Sequence, residues 1–103
     1  MFHDIDITPE QFAIVHTILK KHLASDAQVW VFGSRAKHTA KKSSDLDLVI
    51  DQQGVPLTLS QESIIKEAFD NSLLPFKVDV VDWNAISDSF KRIIETQRRA
   101  IAV

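Results

Sequence analysis

Apolar positions along this 103-residue chain switch between a helical and a two-residue period, and the switches mark its elements. Phe12, Val15, Ile18, Leu19 and Leu23 recur at the spacing of one helix face. That helix has a defined start: Thr8 can cap, Pro9 suits the first helical position, and Gln11 completes a T-x-x-Q capping box. Lys20, Lys21 and His22 fall near its C-terminal end, where the helix dipole favours cations. Residues 28–32 follow, with Val29 and Val31 on one side and Trp30 and Phe32 on the other, as a strand covered on both faces requires. Residues 45–51 alternate strictly, Leu46, Leu48 and Ile50 pointing one way and Asp45, Asp47, Val49 and Asp51 the other. A second helix is predicted over residues 60–71, capped by Ser60, with a Leu59–Ile64 staple and Ile64, Ile65, Ala68 and Phe69 buried. After Leu73-Leu74-Pro75, residues 76–82 read as a third strand, Val78 and Val80 on one face, Lys77, Asp79 and Val81 on the other. A final amphipathic helix is predicted over residues 87–101, with Phe90, Ile93, Ile94, Gln97 and Ile101 as its apolar stripe.

Helices and strands therefore alternate, which makes the class α/β, or α+β with a small mixed sheet and flanking helices. The length suits one domain spanning residues 1–103. Composition is ordinary for a globular chain, 45% apolar and 25% charged. A net charge of −2 lacks the basic surplus of a non-specific nucleic-acid coat, so no direct DNA binding is expected. Without cysteine there is neither a disulfide framework nor a thiolate metal site. Met1–Asp6 shows no leader pattern and no apolar run reaches a membrane span, so a soluble cytoplasmic protein is expected. His16 and His22 lack ligand-spaced partners and are expected to face solvent.

The chemistry gathers between Val29 and Asp51. A strand ends at Gly33-Ser34, a basic loop follows (Arg35, Lys37, Lys41 and Lys42), and the next strand carries Asp45 and Asp47. Two carboxylates two residues apart on a strand lie about 6.6 Å apart on one face. At neutral pH they repel unless a cation separates them, and magnesium, with its preference for hard oxygen ligands, is the natural candidate. Asp79 can face the same ions if the second and third strands pair, giving three carboxylates for a two-metal centre. Glycine at position 33 lets backbone approach an anion, and N–H groups entering a short helix would point at phosphate. Each feature alone is commonplace. Their combination is not.

The string Phe32-Gly33-Ser34-Arg35-Ala36, then Ser44-Asp45-Leu46-Asp47-Leu48, then Val78-Asp79-Val80 resembles the signature of the DNA polymerase β-type nucleotidyltransferase superfamily. It is similar in particular to the minimal nucleotidyltransferase (MNT) branch. The resemblance implies a nucleotidyltransferase fold and transfer of a nucleotidyl group, AMP from ATP with two Mg2+ ions, to an acceptor hydroxyl. It implies that Asp45 and Asp47 bind both metals and that Asp79 completes the site and helps to activate the hydroxyl. Gly33 and Ser34 would hold the β- and γ-phosphates, Arg35 would add an accessory charge, and Ser44 would support the first aspartate. It further implies a HEPN-domain ribonuclease toxin as partner, neutralised by complex formation and by adenylylation of a tyrosine. The alternatives are an antitoxin that acts by masking alone and a metal-dependent phosphohydrolase. One residue departs from the pattern: His38 stands where relatives often have glycine, which raises the question of whether the backbone there takes a positive φ.

Overall fold

In the computed structural model, which describes residues 5–102, the elements run α1 (Pro9–His22), β1 (Gln28–Phe32), β2 (Leu46–Asp51), α2 (Leu59–Asp70), β3 (Val78–Asp82), α3 (Asp88–Glu95) and β4 (Arg99–Ile101), with a 3-10 turn at Trp83–Ala85. The expected capping box closes α1: Gln11 N–H donates to Thr8 Oγ1 at 3.1 Å, and Thr8 N–H donates to Gln11 Oε1 at 3.0 Å.

The sheet is mixed, in the order β3-β2-β1-β4. β1 pairs antiparallel with β2 and β4, whereas β2 and β3 run parallel and need the α2 crossover between them. Leu46, Leu48 and Ile50 are fully buried, in one core with Val15 and Leu19 of α1, Ile65 and Phe69 of α2, and Val78 and Val80 of β3. Burying a large aliphatic side chain contributes roughly 1.5–3 kcal/mol. A one-residue slip of β2 would forfeit three, about 5–9 kcal/mol, against a typical domain stability of about 5–15 kcal/mol. The register of β2, and with it the position of Asp47, is therefore fixed by the core behind it.

The opposite sheet face is only half open. Val49 and Ile94 are fully buried outside that main core. Trp30 meets Trp83 and Phe32 meets Phe90, each with ring centroids 5.9 Å apart, which ties β1 to the 3-10 turn and α3. Arg98 lies 4.4 Å over Trp30 and 5.1 Å over Trp83. Val49 is thus covered, while Asp47 is left half-buried toward the open end.

Several expectations are corrected. The last segment is not one helix: α3 stops at Glu95, and Arg99–Ile101 adds a strand to the edge of β1, pairing Ile101 with Val29. Ile101 is buried there, while Ile93, expected in the apolar stripe, is 56% exposed. α2 is capped by Thr58, which accepts from Gln61 N–H at 3.0 Å, and not by Ser60. The Leu59–Ile64 staple does not form, since Leu59 is 86% exposed. β2 and β3 begin at Leu46 and Val78, so Asp45 precedes its strand. His16 is half-buried against Phe12, at 5.9 Å between rings, and His22 is half-buried also. Among the described residues no helix is long and apolar enough to cross a membrane. The leader-free reading of Met1–Asp6 falls largely on residues 1–4, outside the described residues.

Candidate active site

Parallel pairing of β2 with β3 sets Asp47 directly beside Asp79. Adjacent strands lie about 4.8 Å apart, so the two carboxylates project side by side from the face away from the α1/α2 core. Leu46 and Leu48 flank Asp47, Val78 and Val80 flank Asp79, and all four aliphatics are buried. Asp45 is exposed at the exit of the preceding loop. β3 is an edge strand, which leaves the Asp79 side open to a second reactant. Lys77 Nζ lies 3.8 Å from Asp79 Oδ1, an exposed and loosely formed ion pair of small energetic weight.

This grouping has an electrostatic signature. The Asp47 carboxyl is pushed up to about 6, first by burial and then by the charges of Asp79 and Asp45. The protein thus holds negative charge together with only the loose Lys77 pair to offset it, which is the state a bound cation relieves. All three side chains offer hard oxygen donors, the kind magnesium takes. Among the described residues no group of three His, Cys, Asp or Glu is already drawn together as a ligand set. The donor chemistry fits a hard divalent ion, with Asp47 and Asp79 as its nucleus and Asp45 nearby on the loop.

The Gly33 turn abuts the same carboxylate. Phe32, the last residue of β1, pairs with Asp47, and the chain then turns at Gly33 with φ +75°. A Cβ at Gly33 would overlap Asp47 Oδ2 and lie 3.3 Å from its Cγ. Glycine is required twice over, for the left-handed backbone and for the close approach. Gly33 C=O accepts from the N–H groups of Ala36 and Lys37, both at 3.1 Å, so of the short helix or turn that this segment could make, the turn forms. Among the described residues, Ser34 donates no hydrogen bond from its amide or hydroxyl.

Arg35 departs most from expectation. Its guanidinium is turned inward, buried, and used up on backbone carbonyls. Nη1 donates to Asp6 O at 2.7 Å, Nε to Ser44 O at 3.1 Å, and Nη2 to Ser44, Lys41 and Lys42 O at 2.8, 3.3 and 3.2 Å. Its plane rests 4.0 Å over the Phe76 ring. Burial lowers its pKa, and the charges of Asp6 and Asp45 work against that loss. Arg35 is therefore a clamp on the basic loop, not an accessory charge aimed at phosphate. Ser44 belongs to the same clamp: its carbonyl takes two Arg35 bonds and its Oγ accepts Lys41 N–H at 2.9 Å. Among the described residues these bonds tie Ser44 to Arg35 and Lys41, one residue before Asp45. His38 does adopt a positive φ, +58°, so the loop keeps the conformation that glycine would favour.

Gln97 is the residue that sequence reasoning misplaced. Its Oε1 accepts the Gly33 N–H at 2.7 Å, linking the C-terminal segment to the turn. The available signal was a glutamine interrupting an otherwise apolar stripe.

Residues 14–101 match the model of the nucleotidyltransferase domain family. The chain belongs to that family. Over 93 residues it is 48% identical to a Haemophilus influenzae protein named "Probable protein adenylyltransferase MntA", covering 90% of this chain and 80% of the relative. Among solved structures, a toxin-antitoxin bound to AMP-PNP superposes with a TM-score of 0.73 at 20% identity, covering 85% of this chain and 69% of that one. A complex of the tri-AMPylated Shewanella oneidensis HEPN toxin with its MNT antitoxin matches with a TM-score of 0.65 at 17% identity, over 88% of this chain and 70% of that one. At those identities the structures establish the fold. The mixed sheet and its helices are thus those of a nucleotidyltransferase, as the motifs implied.

Proposed function

We propose that this nucleotidyltransferase moves AMP from ATP to a tyrosine hydroxyl of a HEPN-domain toxin and so acts as its antitoxin. The observation carrying this reading is the in-register Asp47–Asp79 pair abutting the Gly33-Ser34 turn. The 48% identity to a protein adenylyltransferase supports the reaction, and the fold shared with a HEPN-bound antitoxin supports the partner. Asp45, Asp47 and Asp79 would hold Mg2+, which supplies charge neutralisation for the triphosphate and the leaving pyrophosphate. Ser34, with an amide and a hydroxyl not otherwise engaged, donates to the β- and γ-phosphates. Gly33 contributes by lacking a Cβ where Asp47 must sit. The acceptor oxygen attacks the α-phosphorus, the bond to the bridging oxygen breaks, and pyrophosphate departs. Asp79, on the open edge strand, takes the hydroxyl proton as the new P–O bond forms.

Masking without catalysis is the rival suggested by His38 and the small size of the chain; the loop keeps its left-handed backbone at His38, with φ +58°, and the three carboxylates favour activity. Phosphate analysis separates the remaining rivals. Incubation with ATP, magnesium and a HEPN partner should release pyrophosphate in step with modification of the partner. Release of orthophosphate alone would identify a phosphohydrolase instead. An Asp45→Asn, Asp47→Asn double variant that still bound the toxin but failed to protect cells would exclude masking as sufficient.

A further inference from the structure

The phosphate turn has a hydrogen-bond partner that the nucleotidyl-transfer reading does not use. Gly33 N–H donates to Gln97 Oε1 at 2.7 Å, across 64 residues of chain. Gln97 does not reach there by chance of rotamer alone. β4 pairs with β1 so that Val31 faces Arg99, and continuing this register by one more alternate pair sets Gly33 opposite Gln97. The ladder has ended at that point, and the glutamine side chain supplies the carbonyl that a neighbouring strand would have given. Its own backbone is pinned, because Gln97 N–H donates to Ile94 O at 3.0 Å and Arg98 N–H to the same carbonyl at 2.8 Å. The acceptor is thus held by the end of α3 on one side and by β4 on the other.

We propose that Gln97 is the positioning residue of the phosphate turn: it occupies the Gly33 amide, fixes the turn against Asp47, and leaves Ser34 as the donor offered to the triphosphate. The proposal rests on the nucleotidyl-transfer reading of the site. Three features carry it. The Gly33 amide is engaged, so it is not the group that meets phosphate. The turn must hold its left-handed backbone with the Gly33 Cα against the Asp47 carboxylate, and an anchored acceptor enforces that. The acceptor is also neutral, which matters beside Asp47, Asp79 and an incoming polyanion.

Neutrality gives the test its resolving power. In Gln97→Glu the carboxylate still accepts the Gly33 N–H, and more strongly, so a purely structural tie survives. It also adds a full negative charge within a few ångströms of the nucleotide site. The expected result is affinity for AMP-PNP, measured calorimetrically with magnesium chloride, at least about tenfold weaker than wild type, with KM for ATP raised in parallel and kcat within about threefold. Gln97→Ala removes the tie and should weaken AMP-PNP binding as well, through a turn that is no longer pre-set. Melting curves report whether each variant folds. If Gln97→Ala folds poorly, Gln97→Asn, whose neutral carbonyl sits one methylene short of the Gly33 N–H, removes the tie in its place. Labelling only glycine with 15N gives two amide signals, from Gly33 and Gly54, so the tie is directly visible. The Gly33 signal should be protected from solvent exchange in wild type and Gln97→Glu and unprotected in Gln97→Ala.

AMP-PNP affinity equal to wild type in a folded variant that has lost the tie would overturn the proposal, whatever Gln97→Glu does. Tighter binding in Gln97→Ala would overturn it too, since it would make Gln97 a placeholder that phosphate displaces. A wild-type protein that binds no AMP-PNP would bring down the parent reading, and this one with it.

Discussion

Gly33→Ala tests whether the glycine serves the backbone or the carboxylate beside it. The left-handed conformation at φ +75° costs a residue with a Cβ roughly 1–2 kcal/mol. The new methyl would also overlap Asp47 Oδ2, with Asp47 Cγ and Cβ at 3.3 and 3.6 Å from it. That neighbour is the tip of a half-buried side chain, so it can swing aside with little further loss of stability. Folding should therefore lose about 1–2 kcal/mol, a fall in Tm of about 4–8 °C per kcal/mol for a domain of this size. Catalysis should lose more, because the displaced group is the central carboxylate. A misplacement of about 1 Å at reacting groups costs on the order of a hundredfold, or about 2.7 kcal/mol at the transition state. Urea titration and pyrophosphate release at saturating ATP, on the same preparation, separate the two terms. Turnover within about threefold of wild type would refute the close-approach argument even if Tm fell as expected. A stability loss well beyond 2 kcal/mol would show that Asp47 cannot yield, and the fold would then explain any lost activity.

Asp47→Asn should abolish turnover yet raise Tm at neutral pH without metal. The folded carboxyl sits at about 6 against an ordinary 3.8, so its contribution to stability is complete below about 3.8 and is lost as pH rises through about 6. The gain from Asn should accordingly vanish near pH 3.5, and a gain independent of pH would contradict the electrostatic cause. Magnesium should raise Tm of wild type at neutral pH and leave Asp47→Asn almost unmoved in differential scanning fluorimetry. Arg35→Met removes five hydrogen bonds to four carbonyls and the stack on Phe76, and should destabilise by about 3 kcal/mol in chemical denaturation, with water taking over part of the loss. A raised KM for ATP with unchanged stability would instead restore Arg35 as a phosphate contact.

Residues with one dominant demand were readable before the fold was known. Thr8, Pro9 and Gln11 specify a helix start by local geometry, and the Leu46–Leu48–Ile50 alternation specifies a buried strand face. Asp47 and Asp79 could be placed because aliphatic neighbours aim them, although their in-register pairing depends on α2 crossing between parallel strands. β4 escaped because three residues carry no period of their own. Arg99–Ile101 are a strand only through pairing with β1, and helical spacing from Phe90 onward extrapolated across the real end at Glu95. Ser60 and Thr58 are both eligible caps two residues apart, and only the hydrogen bond to Gln61 separates them. Arg35 was misread for a general reason. An arginine beside a phosphate turn looks like a ligand, and nothing local reveals four carbonyls from distant loop positions converging on it. Gln97 was hidden by the same tertiary cause, since its partner is 64 residues away.

The central claim is transfer of the α-phosphoryl group with its nucleoside, directed by Asp47 and Asp79. Its most direct measurement is incubation of the protein with a HEPN partner, magnesium and ATP labelled either at the α- or at the γ-phosphate, followed by separation of the proteins. The account predicts α-label on the partner, none from γ-labelled ATP, and none from either with Asp47→Asn. Label arriving from the γ-position would mean kinase-like chemistry, and the account would be wrong.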